Sequence, residues 1–258
     1  MAHTWVGLSG FSYEEWQGEG LFYPPTTKAS GFFAYYQSRY ESVEMDGSWY
    51  QMPGEASVKG YIKNSHDRFR FCFKAHRKIT HLARLKEAGL EPLQFMLHRI
   101  APLALVGKLG PILMQLPPNL KRDDDRLRTF FERAPRFYPK PDSAEWRTPE
   151  LTDIPVQYAV EFRHESWRND EVEALLRGLG LGWVAADVDE LDAQRRVPAA
   201  FAYARFRKSD YPEELLADWA AWLRNGEANG IINFVFCKHQ DAERPWDWAD
   251  RLRELLGQ

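Results

Sequence analysis

The strongest constraint on the fold is an alternation of short apolar segments with helical segments along the whole chain. Eight segments have the length and composition of buried strands. The predicted strands are residues 4–9, 42–49, 69–75, 111–116, 156–162, 183–187, 200–206 and 231–237. Strands that alternate with helices form parallel sheets, and eight such units fit a chain of about 250 residues. The pattern therefore predicts an α/β fold, a single (β/α)8 barrel of the TIM type.

The connections between the strands agree with one domain over residues 1–258. We expect a helix after every strand, and the last is predicted at residues 246–256. Residues 135–155 are rich in proline and are interpreted as an insertion before the fifth strand. The run Asp123-Asp124-Asp125 begins a predicted helix, where carboxylates favour the helix dipole, so it is interpreted as a cap.

Composition excludes several classes of function. The 34 basic and 37 acidic side chains give a net charge of −3, without the basic footprint of a duplex-binding protein. The longest apolar runs are too short to span a membrane. The two cysteines, Cys72 and Cys237, are interpreted as reduced core thiols. The first strand begins almost at the N-terminus, so we expect no signal peptide and a cytoplasmic protein.

Polar side chains collect at the carboxyl ends of the predicted strands, where barrels of this type carry their active sites. They are Glu44 and Asp46, Lys74 and His76, Gln115, Glu161 with Arg163 and His164, Asp187, Tyr203 and Arg205, and Lys238 with His239. Alternate residues of a strand share a face, so Glu44 with Asp46, Glu161 with Arg163, and Tyr203 with Arg205 are each predicted to face the barrel interior. Buried charge is costly unless it is paired, so the cluster predicts a ligand-binding or catalytic site.

The same residues carry a resemblance to a known family. The motifs are Gly7 to Gly18, Val43 to Tyr50, Phe69 to Lys74, Leu109 to Pro118 and Ala159 to Trp167. In this order they resemble the DUF72 or YecE-like family over essentially the whole chain. The resemblance implies a TIM-type barrel and no established activity.

The chain departs from that family pattern at three places. Many members carry Asn where Asp46 stands, the common Arg-x-His-Gly becomes Arg205-Phe206-Arg207-Lys208, and the common Phe-Asn-Asn becomes Cys237-Lys238-His239. The changes add positive charge after strands seven and eight and an acid after strand two.

The favoured hypothesis is a hydrolase that uses acid/base chemistry. Glu44 and Glu161 would be the carboxylate pair, since two such groups flanking a bond perform glycosidic hydrolysis. Lys74 and His76 are further catalytic candidates. Aromatic side chains would stack a sugar ring, namely Tyr13, Trp16, Tyr23 and Trp167. The alternative for each carboxylate is an ion pair, of Glu161 with Arg163 or Lys74 and of Glu44 with Lys74.

A second hypothesis is the binding or processing of a phosphorylated ligand, because TIM barrels bind phosphate with the loops after strands seven and eight. Those loops carry Arg205, Arg207, Lys208, Lys238 and His239. A small phosphorylated molecule or a single-stranded nucleic acid would use this groove, although the net charge does not favour nucleic acid.

Other chemistries stay open. No motif requires a cofactor, but Glu44, Asp46, Glu161 and His76 would together suit a divalent metal. Lys74 beside a carboxylate would serve as a Schiff-base amine if burial lowered its pKa. A non-catalytic binding protein on the same barrel is the third class of function, because a fold alone does not imply catalysis.

Overall fold

The computed structural model describes residues 3–140, 153–238 and 244–258. Its eight strands are β1 (Thr4–Ser9), β2 (Ser42–Met45), β3 (Arg70–Phe73), β4 (Ile112–Gln115), β5 (Tyr158–Glu161), β6 (Gly182–Asp187), β7 (Phe201–Phe206) and β8 (Ile232–Cys237). The α-helices in the described ranges are α1 (Phe32–Arg39), α2 (Glu55–Asn64), α3 (Leu90–Leu105), α4 (Asp124–Arg133), α5 (Asp170–Leu179), α6 (Glu213–Ala228) and α7 (Pro245–Leu256).

All eight strands lie in one parallel sheet in the order β3-β2-β1-β8-β7-β6-β5-β4. The two end strands approach each other through isolated parallel bridges, Phe71 with Leu109 and Lys74 with Leu113. The sheet is therefore a nearly closed barrel, and the predicted (β/α)8 fold is confirmed.

One connection differs from the prediction that every strand is followed by a helix. Residues 188–200, between β6 and β7, contain no helix. The segment lacks the apolar period of three to four residues that a packed helix needs. Its arginines cover the neighbouring aromatic side chains instead: the Arg195 guanidinium lies 4.0 Å from the Trp219 ring centroid, and Arg196 lies 5.4 Å from that of Trp183.

Strand β2 is shorter than predicted. It ends at Met45, and residues Asp46–Trp49 form a 3-10 turn. The Ser48 hydroxyl lies 2.6 Å from the carbonyl oxygens of Met45 and of Lys74, which ties the turn to the end of β3. The turn carries Trp49 and Tyr50 to the mouth of the barrel, where an extended strand would not have placed them.

The barrel interior is built in layers, because alternate residues of each strand point inward. The lower layers are apolar and buried, and they include Cys72, Leu113, Ala159, Val184, Tyr203, Phe234 and Phe236. A larger apolar cluster lies between the strands and the surrounding helices. Above the lower layers, at the carboxyl ends of the strands, the inward positions become charged.

The helix cap predicted at residues 123–125 is present. The Asp123 side chain accepts a hydrogen bond from the Arg126 backbone N–H at the start of α4. Helix α5 is capped as well: the Asn169 side chain accepts from the Val172 backbone N–H at its start, and Gly180 ends it in the left-handed conformation. The acids at 123–125 are therefore accounted for by helix capping and the helix dipole.

Candidate functional site

The centre of the charged layer is Arg205, which bridges two carboxylates inside the barrel. Its Nη1 donates to Glu161 Oε2 and its Nη2 donates to Glu44 Oε1, each over 2.7 Å. All three side chains are completely buried. They come from inward positions of three strands: Arg205 from β7, Glu161 from β5 and Glu44 from β2. The fold thus joins the groups that the sequence predicted to converge.

Hydrogen bonds from neighbouring strands occupy the remaining oxygens of both carboxylates. Glu44 accepts from the Ser9 hydroxyl at 2.5 Å and from the Tyr203 hydroxyl at 2.7 Å. Glu161 accepts from the Gln115 amide, which lies 3.0 Å from both oxygens, and from Arg163 Nη1 at 2.8 Å. A buried ion pair is favourable only when its lone pairs are satisfied in this way.

The electrostatics of this cluster keep Glu161 ionised. Burial alone would raise the pKa of Glu161, but the positive charges of Arg205 and Arg163 outweigh it and hold the pKa far below its usual range. The two glutamates in turn raise the pKa of Arg205 above its ordinary value, against the effect of burial. Burial, followed by the charge of Glu44, raises the pKa of Tyr203. Glu161 therefore has no proton to give near neutral pH.

An open cavity of about 240 Å³ lies directly above this cluster. Its lining residues are Asp46, Trp49, Tyr50, Lys74, His81, Gln115, Leu116, Pro118, Arg163, Arg207 and Lys238. Four of them are cationic and come from the ends of four different strands. Asp46 is the single carboxylate among the described residues of this lining. The lining therefore suits an anion.

Asp46 joins two lysines at the floor of the cavity. Its Oδ1 lies 3.0 Å from Lys74 Nζ, and its Oδ2 lies 3.6 Å from Lys238 Nζ. Burial opposes ionisation of Asp46, but the charges of Arg205 and Lys74 lower its pKa to about 2. Asp46 is thus a fixed negative charge that holds two ammonium groups at one place.

Cations outnumber carboxylates among the described residues of the site. The ion pairs connect five cations, Arg163, Arg205, Arg207, Lys74 and Lys238, with three carboxylates, Glu44, Asp46 and Glu161. The whole chain has a net charge of −3, so this basic composition is local to the barrel mouth.

The mouth has an aromatic rim, formed by Trp49, Tyr50 and His81. Trp49 and Tyr50 meet edge to face with centroids 4.6 Å apart, and Trp49 Nε1 donates to His81 Nδ1 over 3.3 Å. Tyr50 is 68% exposed, which leaves its ring face open. Sequence reasoning did not select these three residues. The signal was their position in the segments that follow β2 and β3, at the barrel end that carries active sites.

The aromatic side chains predicted to stack a ligand lie elsewhere. Trp16, Tyr23 and Trp167 are buried in the core, where Tyr23 stacks on Phe32 with centroids 4.0 Å apart. Trp167 Nε1 donates to the Leu120 carbonyl at 2.8 Å. Tyr13 is half-buried and donates to the Ser9 carbonyl at 3.0 Å, so of the four it lies nearest to the charged layer. None of the four lines the cavity.

Two predicted histidines organise loops around the site. His76 Nδ1 accepts from the Lys78 backbone N–H at 3.1 Å, and its Nε2 lies 3.0 Å from the Tyr50 carbonyl oxygen. Burial lowers the pKa of His76. His164 Nδ1 accepts from the Ser166 backbone N–H at 3.1 Å and caps a short turn. Both support the loops and neither lines the cavity.

Asp187 faces away from the barrel interior. It accepts from Trp219 Nε1 at 3.3 Å, on the helix side of β6, and its other oxygen lies 3.6 Å from Lys208 Nζ. The inward neighbours on β6 are Val184 and Ala186, so the period of two places Asp187 on the outer face. His239 lies outside the described residues.

A metal centre would need several free ligands at one point. Within residues 3–140, 153–238 and 244–258, no group of three or more His, Cys, Asp or Glu side chains is placed to hold a metal ion. Of the proposed hard-ion ligands, Glu44 and Glu161 bind Arg205, and Asp46 binds lysines.

The helices of the described residues are each too short or too polar to span a membrane.

Comparison with known proteins shows a family relationship over the whole chain. A family model described as a protein of unknown function, DUF72, matches residues 5–258. The UPF0759 protein YunF of Bacillus subtilis (strain 168) is 24% identical over 264 residues, which cover 98% of this chain and 84% of that protein. The UPF0759 protein YecE of Escherichia coli (strain K12) is 26% identical over 213 residues, which cover 81% of this chain and 68% of that protein. The crystal structure of a DUF72 family protein from Thermotoga maritima MSB8 has a TM-score of 0.76 at 23% identity and covers 99% of both chains. These names state no reaction and no ligand.

Proposed function

Because the chain belongs to the DUF72 family, whose function is unknown, we propose a function from the pocket itself: the barrel mouth binds a small phosphorylated molecule. The observation that carries the proposal is the convergence of four cationic side chains from four strand ends on one cavity. Two of them are arginines, whose planar fork suits phosphate oxygens, and two are lysines, which act as point charges.

The cationic character of the cavity fits this class of ligand. Five cations and three carboxylates form the described ion-pair network, and a phosphate monoester carries about −1.5 to −2 at pH 7. Cationic side chains held close together repel one another, which costs stability. A bound phosphate would relieve that cost, which gives the anion a source of binding free energy.

The size and rim of the cavity favour a small ligand over a polynucleotide. About 240 Å³ holds a phosphate with a small attached group. The exposed ring of Tyr50 at the mouth would contact a flat or cyclic part of the same ligand. A single-stranded nucleic acid needs a groove with several phosphate contacts in succession. The overall charge of −3 does not favour the binding of such a polyanion.

Acid/base hydrolysis by Glu44 and Glu161 stays a prediction that this geometry does not favour. A general acid needs a raised pKa, and the pKa of Glu161 is depressed by its arginines. Glu161 pairs with Arg163, as the ion-pair alternative expected, and both glutamates pair with Arg205. Lys74, which that alternative also named, pairs with Asp46 instead. We therefore assign them the role of holding Arg205 and Arg163 in place below the ligand.

The test is stabilisation by inorganic phosphate, measured as the thermal unfolding midpoint against phosphate concentration at constant ionic strength. A ligand at 100 times its Kd stabilises the folded state by about 2.7 kcal/mol. We expect phosphate to raise the midpoint of the wild type, and Arg163→Gln and Arg207→Gln to weaken this effect. The control variant is Arg251→Gln, which removes an exposed arginine paired with Glu213 on the outer helices. An equal response of all four proteins, or none in the wild type, would refute the proposal.

A further inference from the structure

Lys238 occupies an unusual position for a lysine, at the floor of the cavity and at the end of β8. Its side chain is only 6% exposed, and it lines the same cavity as Lys74, Arg163 and Arg207. Its one ion pair in the described structure, with Asp46, is long at 3.6 Å. A buried amine with one distant counter-ion and several cations around it is the arrangement that activates lysine nucleophiles.

We propose that Lys238 is a nucleophilic amine that forms an imine with a carbonyl group of the ligand, so that the site takes a phosphorylated aldehyde or ketone. This inference rests on the proposed phosphate binding, because phosphate contacts would hold the carbonyl carbon over the amine. It adds to that function a covalent step and a substrate class.

The chemical step is balanced without any further reagent. The lone pair of neutral Lys238 Nζ attacks the carbonyl carbon, and the carbonyl π electrons move to oxygen. Transfer of a proton from nitrogen to this oxygen gives a neutral carbinolamine. Its hydroxyl takes up the proton that the ammonium group released on becoming the amine and leaves as water, while the nitrogen lone pair forms the C=N bond. Overall, one ammonium and one carbonyl become one iminium and one water. Asp46, which is held ionised, would stabilise the iminium cation.

The electrostatics of the pocket supply the neutral amine. Burial is the main cause that lowers the pKa of Lys238, and the charges of Arg205, Lys74 and Arg207 lower it further, against Asp46. The pKa falls from 10.5 to about 8. At pH 7 roughly one-tenth of such an amine is neutral, a fraction more than 100-fold larger than for an ordinary surface lysine.

Lys74, the lysine that the sequence suggested as a Schiff-base amine, is held more closely. Its Nζ lies 3.0 Å from Asp46 and 5.3 Å from the Trp49 ring centroid, so the carboxylate and the indole both fix its ammonium group. Asp46 thus lies between one closely paired lysine and one loosely paired lysine. The geometry selects Lys238 as the nucleophile and Lys74 as part of the phosphate-binding charge.

The test uses pyridoxal 5′-phosphate as a probe that combines a phosphate, a flat ring and an aldehyde. The protein is incubated with the probe at pH 7, reduced with borohydride and digested, and adducts are located by mass spectrometry. We expect modification of Lys238 at least about 10-fold above that of any exposed lysine. Excess inorganic phosphate should suppress it, and pyridoxal, which lacks the phosphate, should label Lys238 far less.

Two matched variants separate the imine from the phosphate site. Lys238→Arg removes the nucleophile and retains a positive charge, so it should lose the adduct. Arg251→Gln, which changes an exposed arginine outside the cavity, should keep the adduct on Lys238 and the phosphate-dependent rise in the unfolding midpoint. Labelling spread over exposed lysines, or an adduct on Lys74 instead, would overturn the inference while phosphate binding stands. Equal labelling by pyridoxal, unaffected by phosphate, would instead support the reactive amine and contradict the phosphate site.

Discussion

Replacement of Arg205 by methionine is the sharpest test of the buried ion cluster. Methionine retains a long side chain and removes the guanidinium that binds Glu44 and Glu161 at 2.7 Å each. Both carboxylates would stay inside the barrel without their common partner. Glu161 would keep Arg163 and Gln115. Among the described side chains, Glu44 would keep the hydroxyls of Ser9 and Tyr203 but no cation as a hydrogen-bond donor.

The expected loss of stability is large because all three side chains are completely buried. Removal of one partner from a buried ion pair costs about 3–5 kcal/mol, since an uncompensated charge remains. That is a substantial part of the 5–15 kcal/mol by which a native domain is stable. We expect Arg205→Met to lower the free energy of unfolding by about this amount at pH 7.

Urea denaturation of wild type and variant measures the difference. Arg251→Met is the matched control, because its pairs with Glu213 and Glu254 are exposed and such pairs contribute less than about 1 kcal/mol.

Arg205 is the main cationic cause of the depressed pKa of Glu161, so this pKa rises in Arg205→Met. The variant therefore binds this proton at a higher pH than the wild type does, and the stability difference should shrink as pH falls through the raised pKa of Glu161. A loss below about 1 kcal/mol at pH 7, or a stability difference that grows as pH is lowered, would refute the reasoning.

Three further predictions concern the charged side chains of the site and the aromatic rim of the cavity. The folded-state pKa values of Asp46 and Glu161 lie below their unfolded values, so the stability they contribute is complete above about pH 5 and is lost at lower pH. The part from Asp46 is lost as pH falls through about 2. An acid titration of circular dichroism that shows no loss below pH 4 would contradict this prediction. The pKa of Lys238 is lowered to about 8, so its burial in the charged form costs stability below that pH. Lys238→Met should therefore be about 1–3 kcal/mol more stable than wild type at pH 7 in urea unfolding. The wild type should gain stability between pH 8 and 10.5, and the variant should not. A variant less stable than the wild type at pH 7 would count against the cluster electrostatics. Tyr50→Ala should weaken the binding of a ring-bearing phosphate monoester by about 1–3 kcal/mol, because the ring of the ligand stacks on Tyr50. Calorimetry should show no change in the affinity for inorganic phosphate. Equal losses of affinity for both ligands would show that Tyr50 does not stack.

The fold was predictable because each strand and helix carries its own periodic signal. β1 agrees with its prediction at both ends, and the barrel itself follows from alternation over the whole chain. The helix expected between β6 and β7 is absent because the prediction extended the alternation to a segment that lacks the helical apolar period. The end of β2 was placed too late because Glu44 and Asp46 continue the strand period, although Asp46 already belongs to a turn.

The charged centre of the site was predictable, whereas its pairings and its aromatic rim were not. Strand parity correctly placed Glu44, Glu161 and Arg205 together inside the barrel, and the same rule applied to β6 would have excluded Asp187. That one arginine binds both carboxylates was not foreseeable, because which strands lie opposite depends on how the barrel closes. Aromatic residues such as Trp167 resemble a ligand rim in sequence, but the apolar layer between strands and helices buries them.

The most direct test of the central claim is a crystal structure of the protein grown or soaked with a phosphate monoester. We expect a tetrahedral anion in the cavity above Arg205, within hydrogen-bond distance of Arg163 and Arg207 and of at least one of Lys74 and Lys238. The ring of a ring-bearing ester should lie against Tyr50. An occupied anion site elsewhere on the molecule, with this cavity empty at the same ligand concentration, would contradict the account.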